Sequence, residues 1–231
     1  MQASRTKCGL ESERIFDMAT IPRKGLSFVW VSWITGLIAG SAQCQWAAWF
    51  KAHFKYDKIQ SDFNLESWSA DHDALVQKRV KEFEADGQKV RVENENWMRV
   101  PGETALLIGK PDVIASTGAQ FTVADGKTGD PHKRDYHQML LYLYMIRKAW
   151  KNPNLRVTGE VFYAAGSRIQ VQPEEFDQTK RETAFGVIRM AGHSTPPPRT
   201  PSVPECSRCD ILDCSDRMSE VMDETPLTAE F

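Results

Sequence analysis

Residues 105–129 read ALLIGKPDVIASTGAQFTVADGKTG, and the reading of this stretch decides the fold. Its later part, FTVADGKT, alternates: Phe121, Val123, Asp125 and Lys127 fall on one face, Thr122, Ala124 and Gly126 on the other. Such alternation is the mark of a β-strand. Asp125 and Lys127 then leave the same side of one strand, roughly 7 Å apart at a rise of about 3.3 Å per residue. The earlier part, ALLIGKPDVIAS, reads as a strand pair, with Asp112 entering the second strand. A hairpin-like sheet brings that carboxylate near Asp125.

Carboxylates that converge beside a lysine suit a particular chemistry. They can hold a divalent ion, which activates water and neutralises charge on a phosphate. A lysine on the same strand adds a fixed positive charge beside the attacking water or the strained phosphate. The pattern points to metal-dependent hydrolysis of a phosphodiester. An isolated acid-x-Lys is common on protein surfaces, so its specificity comes from what surrounds it. Gly126-Lys127-Thr128 imitates the end of a phosphate-binding P-loop, but Phe121 stands where that motif needs its first glycine. Nucleoside triphosphate binding is not expected.

Composition sets broad limits. A chain of 231 residues, 41% hydrophobic and 26% charged, describes one large globular domain or one domain with extensions. The formal net charge of −2 gives no general attraction for nucleic acid, so any phosphate-binding surface must be local. Residues 26–50 are rich in apolar side chains, but Ser, Gln and Gly interrupt them, and no wholly apolar stretch has the length of a membrane span. They read as a strand followed by a buried helix at about 34–54, and the protein as cytoplasmic, without a membrane anchor or signal peptide.

Outward from the central stretch, the expected elements are a mixed sheet with helices on its faces. A helix capped by Ser67 or Ser69 runs through ADHDALVQKRVKEFEA toward Gly87. Strands are expected near 90–93, 105–108, 113–116 and 121–125. A helix follows over 133–150, ending before the Asn152-Pro153-Asn154 turn. VTGEVFYAA and RIQVQ, separated by Gly166-Ser167, form a hairpin, and a last helix covers 175–190. Residues 1–24 read as a loose lead-in, 25–214 as a single domain, and 215–231 as an acidic, disordered tail.

Several side chains are candidates to complete the site. His72 shares the inward stripe of its helix with Leu75, Val76, Val80 and Phe83. A lone histidine there is ordinarily a core residue; the acid-x-Lys strand downstream favours a metal ligand. Gln138 and Tyr142 lie one helical turn apart, the first suited to orienting a water or phosphate, the second to packing and donating its hydroxyl. His132, Lys133 and Arg134 stand at the start of that helix, where cations and the helix dipole suit phosphate or DNA contacts; a solvated charge cluster fits equally well.

Cys206, Cys209 and Cys214 form C-x2-C-x4-C directly after the proline-rich run HSTPPPRTPSVPE. Closely spaced thiols in such a chain argue for a metal rather than disulfides. A thiolate site needs a fourth ligand, and Cys8 and Cys44 are the candidates. Cys44, amid Trp46, Trp49 and Phe50, is the better placed. Zinc and an iron–sulfur cluster fit the spacing about equally.

Taken in order, His72, GKPD with Asp112, VADGKTG with Asp125 and Lys127, and QMLLY with Gln138 and Tyr142 resemble the PD-(D/E)XK nuclease superfamily. The Q-x-x-x-Y element is similar to that of its RecB-type branch. One upstream and three downstream cysteines resemble the iron–sulfur nucleases of that branch, among them the CRISPR-associated four-cysteine exonuclease and the nuclease domains of AddAB-type enzymes. The resemblance spans roughly Cys44 to Cys214. Cys44-Gln45-Trp46 departs from the Cys-Pro-Arg common in RecB-type proteins, and the last two cysteines are closely spaced.

That resemblance implies an α/β fold of restriction-endonuclease type, with a mixed central sheet flanked by helices. It implies Mg2+ or Mn2+ on His72, Asp112 and Asp125, with the Gly126 carbonyl as a further ligand. It implies a [4Fe–4S] cluster on Cys44, Cys206, Cys209 and Cys214 that joins the N- and C-terminal segments, which tips the choice of metal from zinc to iron. Lys127 would position and activate water, while Gln138 and Tyr142 would support the site. The expected activity is that of a DNA exonuclease acting on single strands or ends, in a repair, recombination, phage-replication or CRISPR-adaptation setting. The alternatives are a nuclease-fold subunit that binds DNA ends without cutting, and a redox or regulatory iron–sulfur protein. Neither accounts for Asp112, Asp125 and Lys127 together.

Overall fold

The computed structural model describes residues 20–59 and 64–219. Cys8, most of the lead-in and most of the acidic tail lie outside the described residues. The chain begins with β1 (Ile21–Pro22), β2 (Ser27–Trp30), α1 (Val31–Ile38), α2 (Gln45–His53) and β3 (Phe54–Lys55). It continues through α3 (Leu65–Ala85), β4 (Lys89–Val92), β5 (Met98–Pro101), β6 (Ala105–Gly109), β7 (Val113–Thr117) and β8 (Gln120–Lys127). After α4 (Lys133–Ala149) come β9 (Arg156–Tyr163), β10 (Arg168–Val171), α5 (Gln178–Gly192) and the short α6 (Val203–Cys206).

The main sheet has five strands in the order β10-β9-β8-β7-β4. It is mixed: β8 and β9 are parallel, and the other pairs are antiparallel. The expected alternation of β8 holds. Val123 joins the core with Met139 and Leu143 of α4, whereas Ala124 joins Val76, Val80 and Phe83 of α3. Helices therefore cover both faces, which explains why the second half of β8 is buried on both sides. This is a mixed α/β fold with sheets flanked by helices, consistent with a restriction-endonuclease-like arrangement. Among the described residues, no helix is long and apolar enough to cross a membrane.

The fold departs from the sequence reading in several places. A second sheet of three strands, β2-β6-β5, stands beside the first. β5 escapes a pattern search because it is short and ends at Pro101. The helix expected at 34–54 is two helices. Gly40 takes φ +70°, and the amides of Ser41 and Ala42 both return to the Gly36 carbonyl, closing α1 before Cys44. Glycine is the residue that reaches this left-handed cap without strain. α3 starts earlier than the serines suggested: the Asn64 side chain accepts from the Ser67 amide at 3.0 Å, so Ser67 is capped rather than capping. The last helix likewise starts later than expected, at Gln178, capped by Asp177. β1, inside the expected lead-in, pairs with β3.

Two contacts hold the helices that flank β8. Gly159 of β9 lies so close to α4 that a Cβ there would stand 2.5 Å from Met139 Cγ. On the other face Arg79 of α3 donates twice to Glu160 of β9, at 2.7 and 2.9 Å, and Glu160 is only 3% exposed. Gln170 donates to the same carboxylate at 2.8 Å. Removing one member of a buried ion pair leaves the other unpaired, at a cost of about 3–5 kcal/mol. Arg79→Ala is thus expected to lower the unfolding free energy in urea by about that amount. Pairing it with Glu160→Leu should recover much of the loss, and an additive double mutant would contradict this account.

Candidate active site

Strand register brings Asp112 and Asp125 together. β7 and β8 are antiparallel, with Val113 opposite Ala124, so Asp112 stands next to the end of that pairing. Its Oδ2 accepts from the Gly126 amide at 2.7 Å. His72, in the second turn of α3, sets Nε2 3.3 Å from the same oxygen. The bond to Asp112, together with the negative charges around it, outweighs burial and raises the His72 pKa.

Asp125 is 4% exposed, and Lys127 Nζ lies 2.7 Å from its Oδ2. Burial pushes the Asp125 carboxyl upward against the opposing pull of Lys127. The lysine feels the reverse balance: burial lowers its pKa, but Asp125, with Asp112 and Asp135, more than compensates, so the ammonium is held in its charged form. Gln138 of α4 ties the two together. Its Oε1 accepts from Lys127 at 3.2 Å, and its Nε2 faces the Asp125 oxygens at 3.3 and 3.4 Å. The same Nε2 lies 3.0 Å from the Tyr142 hydroxyl, which in turn donates to the Lys110 carbonyl at 3.4 Å. The turn-by-turn spacing of Gln138 and Tyr142 thus becomes one continuous network.

His72, Asp112, Asp125, Gly126, Lys127, Gln138 and Tyr142 all line one cleft of about 750 Å³. His132 and Arg134 line it as well, whereas Lys133, exposed at the start of α4, does not. Asp135 fills a role that was not foreseen. It is buried, accepts from the His132 amide at 3.1 Å and from the Tyr163 hydroxyl at 3.2 Å, and so fixes the first turn of α4.

Other supporting residues also carried no signal in the sequence. Asn96, 1% exposed, directs Nδ2 at the carbonyls of Arg91, Pro111 and Asp112, within 3.1–3.3 Å, and so anchors the backbone that presents Asp112. An asparagine between two short strands reads simply as a turn residue. Trp68 stacks on His72 with ring centroids 5.2 Å apart, and its Nε1 donates to Thr128 Oγ1 at 3.0 Å. Lys110, paired with Glu93 at 3.4 Å, completes one wall of the cleft.

The cysteines expected to act together do share a cavity. Cys44, Cys206, Cys209 and Cys214 line a space of about 330 Å³ beside α1 and α2, and none of them is in a disulfide. Glu205 binds the N-terminal side of this cavity to the C-terminal side: its Oε1 accepts from the amides of Gln43 and Cys44 at 2.8 and 3.2 Å. Arg217 clamps the cysteine loop through the carbonyls of Cys206, Cys209 and Ile211. Burial raises the Cys214 thiol pKa, and the nearby Cys209 and Cys44 add to the rise. Ser32, Thr35 and Arg134 line both this cavity and the cleft, so the two adjoin.

The donor types suit metals at each place: oxygen and imidazole nitrogen in the cleft, sulfur in the cavity. As the side chains stand, no group of three or more His, Cys, Asp or Glu among the described residues is drawn together enough to hold an ion.

Comparison with known proteins places this geometry. No curated protein matches the chain. A solved structure described as "Crystal structure of SSO0001" is similar over 85% of this chain and 90% of its own, at 12% identity and a TM-score of 0.46. The family model of the PD-(D/E)XK nuclease superfamily matches residues 37–214, which include every residue of the cleft network and all four cysteines of the cavity. With most of its length matched in this way, the chain belongs to the PD-(D/E)XK nuclease superfamily.

Proposed function

We propose that this protein is a metal-dependent DNA nuclease of the RecB-type branch, an exonuclease that trims single strands or DNA ends. The convergence of Asp112, Asp125, His72 and Lys127 in one open cleft is the observation that carries this reading. Members of the superfamily are generally nucleases and typically use Mg2+ or Mn2+. Here His72, Asp112 and Asp125, with the Gly126 carbonyl, would hold the ion. When bound, such an ion lowers the pKa of water and offsets charge on the scissile phosphate.

The protein's own groups do the rest. Lys127, kept protonated by Asp125, offers positive charge to the phosphate as negative charge grows on it. Gln138 holds Lys127 and Asp125 in register, and Tyr142 holds Gln138. Arg134 gives a second cationic contact to DNA at the cleft edge, with the exposed Lys133 beside it. Residues 25–214 form the nuclease domain in this reading, with 215–231 as an acidic tail.

Cys44, Cys206, Cys209 and Cys214 would hold a [4Fe–4S] cluster, with zinc as the alternative. The support is their shared cavity, their free thiols and the sulfur-only donor set. Its role is to tie the N-terminal α2 to the segment after α5.

End-labelled single-stranded and duplex DNA, incubated with manganese, magnesium or chelator and anaerobically purified protein, tests the reading. The expected result is metal-dependent shortening from one end that the chelator stops. Tight end binding without any cleavage would replace it with a non-cutting role in a DNA-processing complex.

A further inference from the structure

The three-stranded sheet β2-β6-β5 has two unlike faces. Val29, Leu107 and Met98 point into the main core with α4, and Val100 packs against it. Alternation sends their neighbours to the other side. These are Trp30 of β2, Ile108 of β6, Trp97 just before β5, and Arg99. In the register, Ile108 is opposite both Trp30 and Arg99.

The contacts agree with this placement. The Trp30 and Trp97 rings lie 5.2 Å apart, and the Arg99 guanidinium sits 5.7 Å from the Trp97 ring centre. Ile108 is 7% exposed yet belongs to none of the three buried apolar clusters. Trp97 remains 44% exposed, and Arg99 is exposed. A large aromatic left in water beside a cation stands out where the same sheet has a closely packed inner face.

Along the chain, this outer face leads to residues of the cleft. Lys110, one residue beyond the Met98–Gly109 pair, lines the cleft, as does Ser32, two residues after Trp30. Resting on the nuclease reading above, we infer that the Trp30–Trp97–Arg99 face stacks unpaired bases of the substrate strand beside the scissile phosphate. Aromatic rings accept any base, and neighbouring cations follow the backbone, so such a face favours a single strand without reading its sequence. A paired duplex keeps its bases inside the stack and cannot use it. The face thereby supplies a preference for single strands.

The test uses the full chain in chelator, so that no cutting occurs. Anisotropy of a fluorescein-labelled oligothymidylate of about twenty nucleotides reports binding to the face. Hydrolysis of bis(p-nitrophenyl) phosphate with manganese reports the cleft alone, because that diester has no strand to lay along the face and Trp97 does not line the cleft. Trp97→Ala is expected to weaken oligothymidylate binding about tenfold. Arg99→Ala should weaken it less, and Trp97→Phe should retain most of the affinity. Turnover of the small diester should be unchanged in all three.

Unaltered oligothymidylate affinity in both Trp97→Ala and Arg99→Ala would overturn the inference. So would a self-associated protein that Trp97→Ala makes monomeric, since the face would then meet a second copy. A wild-type protein that cleaves neither the small diester nor, once manganese replaces the chelator, the oligothymidylate, yet loses oligothymidylate binding with Trp97→Ala, would sink the nuclease reading and leave the stacking face standing.

Discussion

Lys127→Ala is expected to lower kcat for DNA cleavage by about 10²–10³-fold, the effect of deleting one preorganised charge-stabilising group. Asp125→Asn should cost at least as much, since it removes the charge of a proposed metal ligand while keeping the shape of the side chain. The two substitutions differ in their effect on folding. Lys127 neutralises a carboxylate that is 4% exposed, so its removal leaves a buried charge with fewer partners. Asp125→Asn leaves the Lys127 ammonium instead, but that side chain is 25% exposed and reaches water, so this variant should melt closer to wild type. Measuring kcat, KM and thermal unfolding for both separates catalysis from stability. Cleavage that survives in well-folded Asp125→Asn would remove this cleft as the site of hydrolysis. Lys127→Ala should also leave any absorbance from the cysteine cavity unchanged, because the groups that hold it lie elsewhere.

Cys206→Ser is expected to have the largest effect on stability. In the proposed state, the metal at the cysteines closes a loop from Cys44 to Cys206, much longer than 100 residues. Closing a loop of that length is worth up to about 5 kcal/mol on a chain-entropy basis. For a domain of this size that corresponds to a fall in Tm of about 10–20 °C. Cys44→Ser should match it, because each substitution opens the same crosslink, and the double variant should add little. Iron, sulfide and zinc analysis of anaerobically purified protein identifies the metal. A colourless protein with bound zinc would change the metal and keep the crosslink. Metal-free wild type that melts with both variants would dispose of the crosslink itself. The hydrogen bonds from Gln43 and Cys44 to Glu205 persist in either case, so the segments should loosen rather than separate fully.

Much of the cleft was legible before any coordinates. Asp125 and Lys127 sit on one strand, and strand alternation is a local property that neighbouring residues reveal. Gln138 and Tyr142 share a helix face for the same kind of reason. His72 fell on the inward stripe of α3 because Leu75, Val76, Val80 and Phe83 mark that stripe in the sequence. The grouping of Cys44 with the distant cysteines rested on its setting amid Trp46, Trp49 and Phe50, and on the resemblance.

Other features depended on pairings that no short window contains. The three-stranded sheet requires β2 to lie parallel to β6, more than seventy residues later, and its outer aromatic face exists only after that pairing. Asn96 holds the Asp112 backbone because a loop after β4 passes beneath it, a matter of tertiary position and not of residue type. Lys133 and Arg134 are adjacent cations in the sequence, yet only Arg134 lines the cleft, since consecutive helix residues point about 100° apart. The sequence by itself determined the strand and helix periods and the chemical groups they carry, because these are set by neighbouring residues. Only the tertiary structure decided which groups meet, because convergence follows from long-range strand register and from packing against both faces of β8.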